Sequence, residues 1–311
     1  MTILKWITKD TNINFMKARR FTYILSSILV IASFASMYLK GFNFGIDFSG
    51  GVLIEIKSEK PINVEEIRNK LSSVDLGELN LQTIGLEGDE LMIRALAKDK
   101  DEVAQREAVA EIRNILGNEY EYRRVETVGP QVGDELKMAG IIASVLAIAA
   151  IAIYIWVRFE WQFAIGALLG LFHDTVITVG LLSMFGFDFS LTTVAAILTL
   201  VGYSVNDKVV TYDRIRENLK KYRKMPQEEL INKSINDIFS RTLLTGVTTL
   251  MAVIPLYLWG GDALESFSFT ILAGLLIGTY SSIYVSASIL NLFDLRTVNH
   301  KDEENYFGTI G

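Results

Sequence analysis

The sequence of 311 residues contains no cysteine, only four prolines and only two histidines, His173 and His300. The absence of cysteine excludes disulfides, thiolate metal sites and cysteine nucleophiles. Two histidines leave little for zinc binding or Ser-His chemistry, so we expect neither a metal nor a cofactor. An excess of basic charge is also missing, because 30 lysines and arginines face 36 acidic residues. This balance disfavours a nucleic-acid partner.

Apolar residues, by contrast, are abundant and clustered. They make up 50% of the chain, at a mean hydropathy of +0.31. Six runs are nearly free of charge: residues 21–39, 138–157, 163–185, 191–210, 242–259 and 267–293. A hydrocarbon core about 30 Å thick needs roughly 20 apolar residues of helix. The sequence therefore predicts an α-helical integral membrane protein with six transmembrane helices.

The basic residues predict how these helices are oriented. Lysine and arginine are concentrated in residues 1–20 and 211–241, whereas the short loops 186–190 and 260–266 contain neither. The positive-inside rule then places the loop 211–241, the N-terminus and the tail 294–311 in the cytoplasm. The loop is interpreted as a solvated helix near anionic lipid, with docking to a cytosolic partner as the alternative. A cleavable signal peptide is the alternative for the first run, but its 19 residues exceed the usual apolar segment of about 7–15.

Residues 41–137 must then form a domain on the outer side of the membrane, inserted between helices 1 and 2. They contain 20 acidic and 12 basic residues, as expected for a solvated domain. The apolar patterns predict strands at 42–56, 79–85, 90–96 and 120–128 and helices at 64–74 and 101–116. This β-α-β-β-α-β order predicts an α+β ferredoxin-like domain. Residues 138–293 complete the bundle with five helices.

Glycine is concentrated where this domain joins the membrane segments. The residues of interest are Gly45, Asp47, Gly50, Gly51, Gly129 and Pro130. Glycine permits positive φ angles or close backbone approach, so we expect these positions to be shaped connections that act as hinges of the outer domain. A phosphate-binding loop is the alternative, but the Gly-Lys-Ser/Thr that would complete it is missing.

Charged residues inside the apolar runs carry the functional argument. A charge at the centre of a membrane helix costs about 2.5–3.5 kcal/mol and needs a partner or a water path. Asp207 lies in the fourth run and Arg241 at the beginning of the fifth, so the two lie at similar depth if these helices are antiparallel neighbours. An aspartate that alternates between an arginine and outside water would act as a proton switch. The alternative is a static buried salt bridge.

A second polar group lies near the middle of the third run. His173 and Asp174, together with Ser204 and Asn206, are candidates for a proton path or for helix packing. Adjacent residues point to different faces of a helix, which favours packing for the His-Asp pair. Lys208 is expected to extend towards the cytoplasm, because long cationic side chains snorkel.

Small residues in the same runs favour close helix contact. The candidate packing positions are Gly166, Gly170, Gly202, Gly274 and Gly278. No nucleophile-base pair or paired aspartates are evident in the runs, so the sequence does not predict an enzyme.

An ordered series of motifs resembles the SecF family. The series consists of FNFGIDFSGG at 42–51, VGP at 128–130, RFEW at 158–161, HD at 173–174, AAILT at 195–199 followed by GYSVND at 202–207, DRIRE at 213–217, SRT at 240–242 and GTYSSIYV at 278–285. The likeness extends from about residue 40 to 290. Each glycine is a weak signal, but the ordered set is specific.

The resemblance implies a subunit that pairs with SecD in a twelve-span unit of the RND superfamily. Such a unit uses the proton-motive force in the bacterial inner membrane to help preproteins leave the SecYEG channel. The implied partners are SecD, the SecYEG translocon, YajC, YidC, the translocating preprotein and the lipid bilayer. In that family the aspartate and arginine matching Asp207 and Arg241 are tied to proton passage. The alternatives are half of an RND-type exporter of a lipid or small molecule, and a structural membrane scaffold.

Overall fold

Six long helices and a four-stranded sheet account for most of the structure, a computed structural model that describes residues 11–72, 76–84, 88–97, 102–117 and 119–296. The chain divides into two compact units. The sheet unit comprises Asn43–Ala143 and Asp188–Leu191, and the bundle unit takes its residues from the remaining segments. Each unit is built on a different periodicity of apolar residues.

In chain order, the elements are α1 (Arg19–Lys40), β1 (Asn43–Phe44), α2 (Ile46–Ser49), β2 (Gly51–Lys57), α3 (Val64–Leu71), β3 (Leu76–Ile84), β4 (Glu90–Ala97), α4 (Glu102–Leu116), β5 (Glu121–Val128), α5 (Pro130–Arg158), α6 (Trp161–Phe185), β6 (Asp188–Phe189), α7 (Leu191–Lys221), α8 (Gln227–Trp259) and α9 (Asp262–Ser281). A π-helical turn, Ser282–Ser286, continues α9 into the short helix α10 (Ala287–Ile289).

The six predicted membrane helices are confirmed. The segments long and apolar enough to cross a membrane are Met16–Lys40, Gln131–Arg158, Trp161–Phe185, Leu191–Lys221, Gln227–Trp259 and Ala263–Leu292. Helices α7 and α8 extend well into the predicted loop 211–241, where only residues 222–226 separate them. The basic residues of this segment are thus carried mainly on helix.

The sheet unit has the predicted ferredoxin-like order. Its larger sheet has four strands in the order β3-β4-β2-β5, and every neighbouring pair in that sheet is antiparallel. Alternate residues of β2, namely Val52, Ile54 and Ile56, are buried with Ile67 of α3 and Ile112 of α4. The period-2 pattern of the strand therefore fills one face of the sheet with apolar side chains, and the two helices cover that face.

The predicted continuous strand over residues 42–56 is wrong. A helical turn, Ile46–Ser49, separates β1 from β2. The backbone at Gly50 and Gly51 has φ angles of 70° and 112°, a region that strongly favours glycine. These two residues end the helical turn and redirect the chain into β2, whereas the apolar pattern of the segment gave no sign of the interruption.

Close helix contacts in the bundle depend on small residues and hydroxyl groups. Ser36 of α1 and Ser183 of α6 are hydrogen-bonded at 3.3 Å, and Ser26 of α1 bonds to Tyr280 of α9 at 3.0 Å. At Gly180 of α6, an added Cβ would lie 2.6 Å from the Cα of Ser33. Backbone atoms cannot move aside as a flexible side chain can, so this crossing requires glycine.

We therefore expect Gly180→Ala to lower the free energy of unfolding by about 1–3 kcal/mol through overpacking. Gly202→Ala is the matched control, because an added Cβ at this helical glycine meets nothing within 4 Å. Its effect should be neutral or stabilising by up to about 1 kcal/mol, the helix-propensity difference between the two residues. Thermal unfolding of the purified protein in detergent measures both, and equal midpoints for the two variants would contradict the proposed crossing.

Candidate functional site: a buried charge cluster in the helical bundle

An ion pair lies in the interior of the bundle, between α6 and α7. The Nζ atom of Lys208 donates to Oδ2 of Asp174 at 2.8 Å, and the two side chains are only 1% and 2% exposed. Lys208 also donates to Ser204 one turn earlier on α7 and to Ser281 of α9, the latter at 3.1 Å. Three acceptors thus match the three donors of the ammonium group.

The carboxylate of Asp174 is equally well satisfied. Its Oδ2 accepts from the Ser204 hydroxyl at 2.5 Å as well as from Lys208. Its Oδ1 lies 3.0 Å from Nδ1 of His173. A buried carboxylate with several charge-assisted partners is stable only while its cation is present, so Asp174 and Lys208 act as one unit.

Two glycines one turn apart on α6 make room for two large residues one turn apart on α7. A Cβ on Gly170 would overlap the aliphatic end of Lys208, and a Cβ on Gly166 would lie 2.8 Å from the Tyr212 hydroxyl. Tyr212 is fully buried and bonds to Ser286 in the π-helical turn. The predicted packing roles of Gly166 and Gly170 thus have a geometric explanation that involves the charged site itself.

The other three candidate packing glycines differ from one another. A Cβ on Gly274 would overlap the side chain of Leu200, whereas Gly278 leaves 3.4 Å to Ser204 and 3.8 Å to the Asp174 carboxylate. Gly202 is exposed, and an added Cβ there would meet nothing within 4 Å. The packing role of Gly202 stays a prediction, since within this chain the residue lies on an outer face of α7.

Asp207 has a different environment from Asp174. The residue is 4% exposed, and its Oδ2 is buried without a hydrogen-bond partner among the described residues. Arg241 of α8 is exposed, and within the described part of the chain no ion pair within 4.0 Å joins it to Asp207. Lys208, the next residue in the chain, is bonded to Asp174. Asp207 is therefore a buried carboxyl group without a bonded cation.

His173 lines a cavity in the bundle unit. The imidazole is 5% exposed and stacks on Tyr280 with ring centroids 6.1 Å apart. Its Nε2 has no hydrogen-bond partner in the described residues. The cavity, of about 520 Å³, is also lined by Tyr23 and Ser27 of α1 and by apolar side chains. Asn206, the remaining polar candidate, is exposed on α7.

Two of the sequence predictions need correction. Lys208 does not extend towards the membrane surface, because Asp174, Ser204 and Ser281 hold it in the interior. His173 and Asp174 are adjacent in the chain but are bonded to each other, since both side chains turn towards the same interior. One signal could have predicted the Asp174–Lys208 pair: opposite charges in two apolar runs, each in need of a partner.

The predicted hinge residues lie in the sheet unit. Gly45 precedes the helical turn that contains Asp47, and Gly50 and Gly51 follow it. Gly129 immediately precedes α5, which begins at Pro130. None of these residues contributes to the buried charge cluster.

Two family models match this chain. The C-terminal region of the protein export membrane proteins SecD and SecF matches residues 108–296, more than half of the sequence. The SecD/SecF GG motif matches residues 35–62, which contain Gly50 and Gly51. The chain belongs to the SecD/SecF family. The resemblance inferred from the ordered motifs is thereby confirmed.

Similar proteins identify the SecF branch of this family. Protein translocase subunit SecF of Rickettsia bellii is 45% identical over 294 residues, which cover 93% of this chain and 96% of that protein. SecF of Rickettsia felis is 44% identical over 300 residues, with 96% and 97% covered. The crystal structure of SecDF from Thermus thermophilus matches with a TM-score of 0.81 at 34% identity, covering 94% of this chain. This chain spans only 39% of the length of that SecDF chain.

The importance of the ion pair can be tested by removing its cation. Lys208→Met leaves Asp174 as an uncompensated buried charge, and we expect it to lower the free energy of unfolding by about 3–5 kcal/mol. The double variant Lys208→Met/Asp174→Asn removes both charges and should recover most of this loss. Thermal unfolding of the purified protein measures the difference.

Lys224→Met is the control, since Lys224 is exposed and its loss should change the free energy of unfolding by no more than about 0.5 kcal/mol. An unchanged midpoint for the single variant Lys208→Met would show that the pair does not stabilise the bundle.

Proposed function

We propose that this chain is the SecF-type subunit of a SecDF complex, and that the complex uses the proton-motive force to assist Sec-dependent preprotein translocation. Asp207 takes up and releases the proton, and Arg241 is its alternating counter-charge. The role is one of transport without enzymatic catalysis. The support comes from family membership together with the state of the carboxyl group of Asp207.

The proposal rests on the different environments of two buried carboxyl groups, those of Asp174 and Asp207. Asp174 has a lysine, a serine and a histidine as bonded partners, whereas Oδ2 of Asp207 has none among the described residues. A buried ionised carboxylate without a cation is unfavourable. Binding a proton or approaching Arg241 would each remove that cost, and alternation between these two states is what a proton switch requires.

The hydrogen bonds of Lys208 give further support to this proposal. A lysine next to Asp207 in the chain could have supplied a permanent counter-ion and left the aspartate as half of a static salt bridge. Its ammonium group is instead saturated by Asp174, Ser204 and Ser281. Lys208 is therefore not available as a hydrogen-bonded partner of Asp207, and the proposed partner is Arg241.

SecD is the proposed partner, and the SecYEG translocon and the emerging preprotein are the proposed context. The matched crystal structure is described as SecDF, a translocon-associated membrane protein, and this chain matches about two-fifths of it. We propose that SecD supplies the remaining helices. In the proposed orientation the sheet unit faces the periplasm and both termini face the cytoplasm, in accord with the distribution of lysine and arginine. YajC and YidC are further proposed partners.

The energy available is adequate for such a cycle. One elementary charge moved through 100 mV is worth about 2.3 kcal/mol, and about 5.5 kcal/mol converts a two-state equilibrium from 1:99 to 99:1. A few protons per cycle are therefore sufficient to switch the complex between two arrangements.

The test uses vesicles that contain the complete complex and an imposed proton gradient. We expect Asp207→Asn and Arg241→Met each to abolish the gradient-dependent part of preprotein release, because neither variant can alternate between the two charge states. Asp213→Asn is the matched control on the same helix, since its carboxylate is 44% exposed and pairs with Arg158 at the surface. It should release preprotein at the unaltered rate.

Normal release by Asp207→Asn would contradict the proton switch and favour a structural scaffold. Loss of gradient-driven efflux of a lipid or small molecule, with preprotein release intact, would favour an exporter of the RND type.

A further inference from the structure

The turn between α6 and α7 belongs to the sheet unit, although the two helices it connects lie mainly in the bundle unit. Residues Asp188–Leu191 group with Asn43–Ala143. Strand β6 in this turn pairs in parallel with β1, with Asn43 opposite Asp188 and Phe44 opposite Phe189. The amide of Gly45 also donates to the carbonyl of Phe189 at 3.0 Å. The segment that carries the GG motif is thus attached to this turn by backbone hydrogen bonds.

Charged side chains reinforce the attachment. Arg94 on β4 forms an ion pair with Asp188 and donates to the Asn43 side chain at 3.2 Å. The Asn43 amide in turn donates to Asp188 at 2.7 Å. Burial raises the pKa of Asp188, and the Arg94 guanidinium opposes that rise. The arginine therefore favours the charged form of the carboxylate to which it is bonded.

Asp47 provides the most direct link to helix α7. Its Oδ2 accepts a hydrogen bond at 3.0 Å from the amide of Leu191, the first residue of the helix. A carboxylate at a helix N-terminus satisfies an otherwise unpaired amide and complements the helix dipole. Gly45 also lies close to the end of this turn, since a Cβ on Gly45 would lie 3.1 Å from the Cβ of Ser190.

Helix α7 continues without interruption from Leu191 to Lys221. Asp207 is therefore joined to this attachment by about 24 Å of regular helix, at 1.5 Å per residue. A helix transmits an axial displacement along its length, because its hydrogen bonds do not need to break. Whatever displaces α7 at Asp207 thus also acts on the residues that hold its first turn.

We propose that Asp47, Asn43 and Arg94 form a clamp on the α6–α7 turn and transmit displacements of α7 to the sheet. The inference rests on the proposed function, in which Asp207 drives the displacement. It assigns a role to the segment that contains the GG motif. The clamp residues are positioning residues: they bind no proton, and they remain bonded throughout the cycle. Residues 43–51 are accordingly a fixed attachment and are not the hinge expected from their glycine content.

The first test separates proton binding from transmission. Arg94→Met and Asp47→Ala in the complete complex should lower gradient-driven preprotein release about fivefold or more, the scale of ordinary coupling between sites. Modification of Asp207 by a hydrophobic carbodiimide should remain as in the unaltered complex, with Asp207→Asn as the blank. Asp47→Asn keeps an oxygen for the Leu191 amide and should retain release. Arg123→Met is the matched control, because Arg123 pairs with Glu90 and Glu121 outside the clamp.

The second test restores the clamp with a covalent bond. The chain has no cysteine of its own, so Phe44→Cys and Phe189→Cys create a single defined pair on the two opposed strands. In the Arg94→Met background, oxidation should restore release and reduction should remove it again. In the otherwise unaltered chain, the disulfide should leave release unchanged.

Three outcomes would overturn the clamp: normal release by Arg94→Met and Asp47→Ala, loss of release together with loss of carbodiimide modification, or arrest of the otherwise unaltered chain by the disulfide. The failure of the proposed function is distinguishable, because it is decided by Asp207→Asn. Normal release by that variant contradicts the proton switch, whereas impaired release by it alongside normal release by the clamp variants contradicts only the clamp.

Discussion

The ion pair between Asp174 and Lys208 determines how the bundle can be arranged. Both residues are almost fully buried, and each depends on the other because an isolated charge in this interior would be strongly unfavourable. The pair fixes the rotation of α7 relative to α6. Gly166 and Gly170 of α6 lie where this helix faces Tyr212 and Lys208 of α7, and they leave space for those two large side chains. The same pair withholds the lysine from Asp207. The Asp174–Lys208 pair thus both stabilises the bundle and leaves Asp207 without a bonded lysine.

Much of the architecture could be predicted from the sequence because it follows from the periodicity of apolar residues. Long uncharged runs predict membrane helices, and the alternation of apolar and polar residues around Ile54 predicts a strand. The helical turn at Ile46–Ser49 could not be predicted in this way, since it ends through positive φ angles at Gly50 and Gly51 that no apolar pattern records. The sheet order followed from the order of elements along the chain.

The site was only partly predictable, for a related reason. The sequence shows that Asp174, Asp207, Lys208 and Arg241 need partners, but the choice of partner depends on helix rotation and on which neighbour is small. Lys208 is held inside because Gly170 leaves space for its side chain, a relation between residues 38 positions apart. Asp207 and Arg241 remain a predicted pair, and among the described residues no ion pair within 4.0 Å joins them. Asn43 and Arg94 gave no signal in the sequence, since their roles depend on the folded turn.

The π-helical turn at Ser282–Ser286 affects how the membrane helix Ala263–Leu292 would respond to the loss of a residue. Such a turn closes hydrogen bonds between residues five apart and holds one residue more than an α-helical turn. Loss of a single residue within it would leave a regular α-helix, and every later side chain would keep its present orientation and neighbours. A one-residue deletion elsewhere in the same span would rotate all subsequent side chains by about 100°. Length variation among natural relatives should therefore be tolerated in this turn more readily than in the rest of the helix.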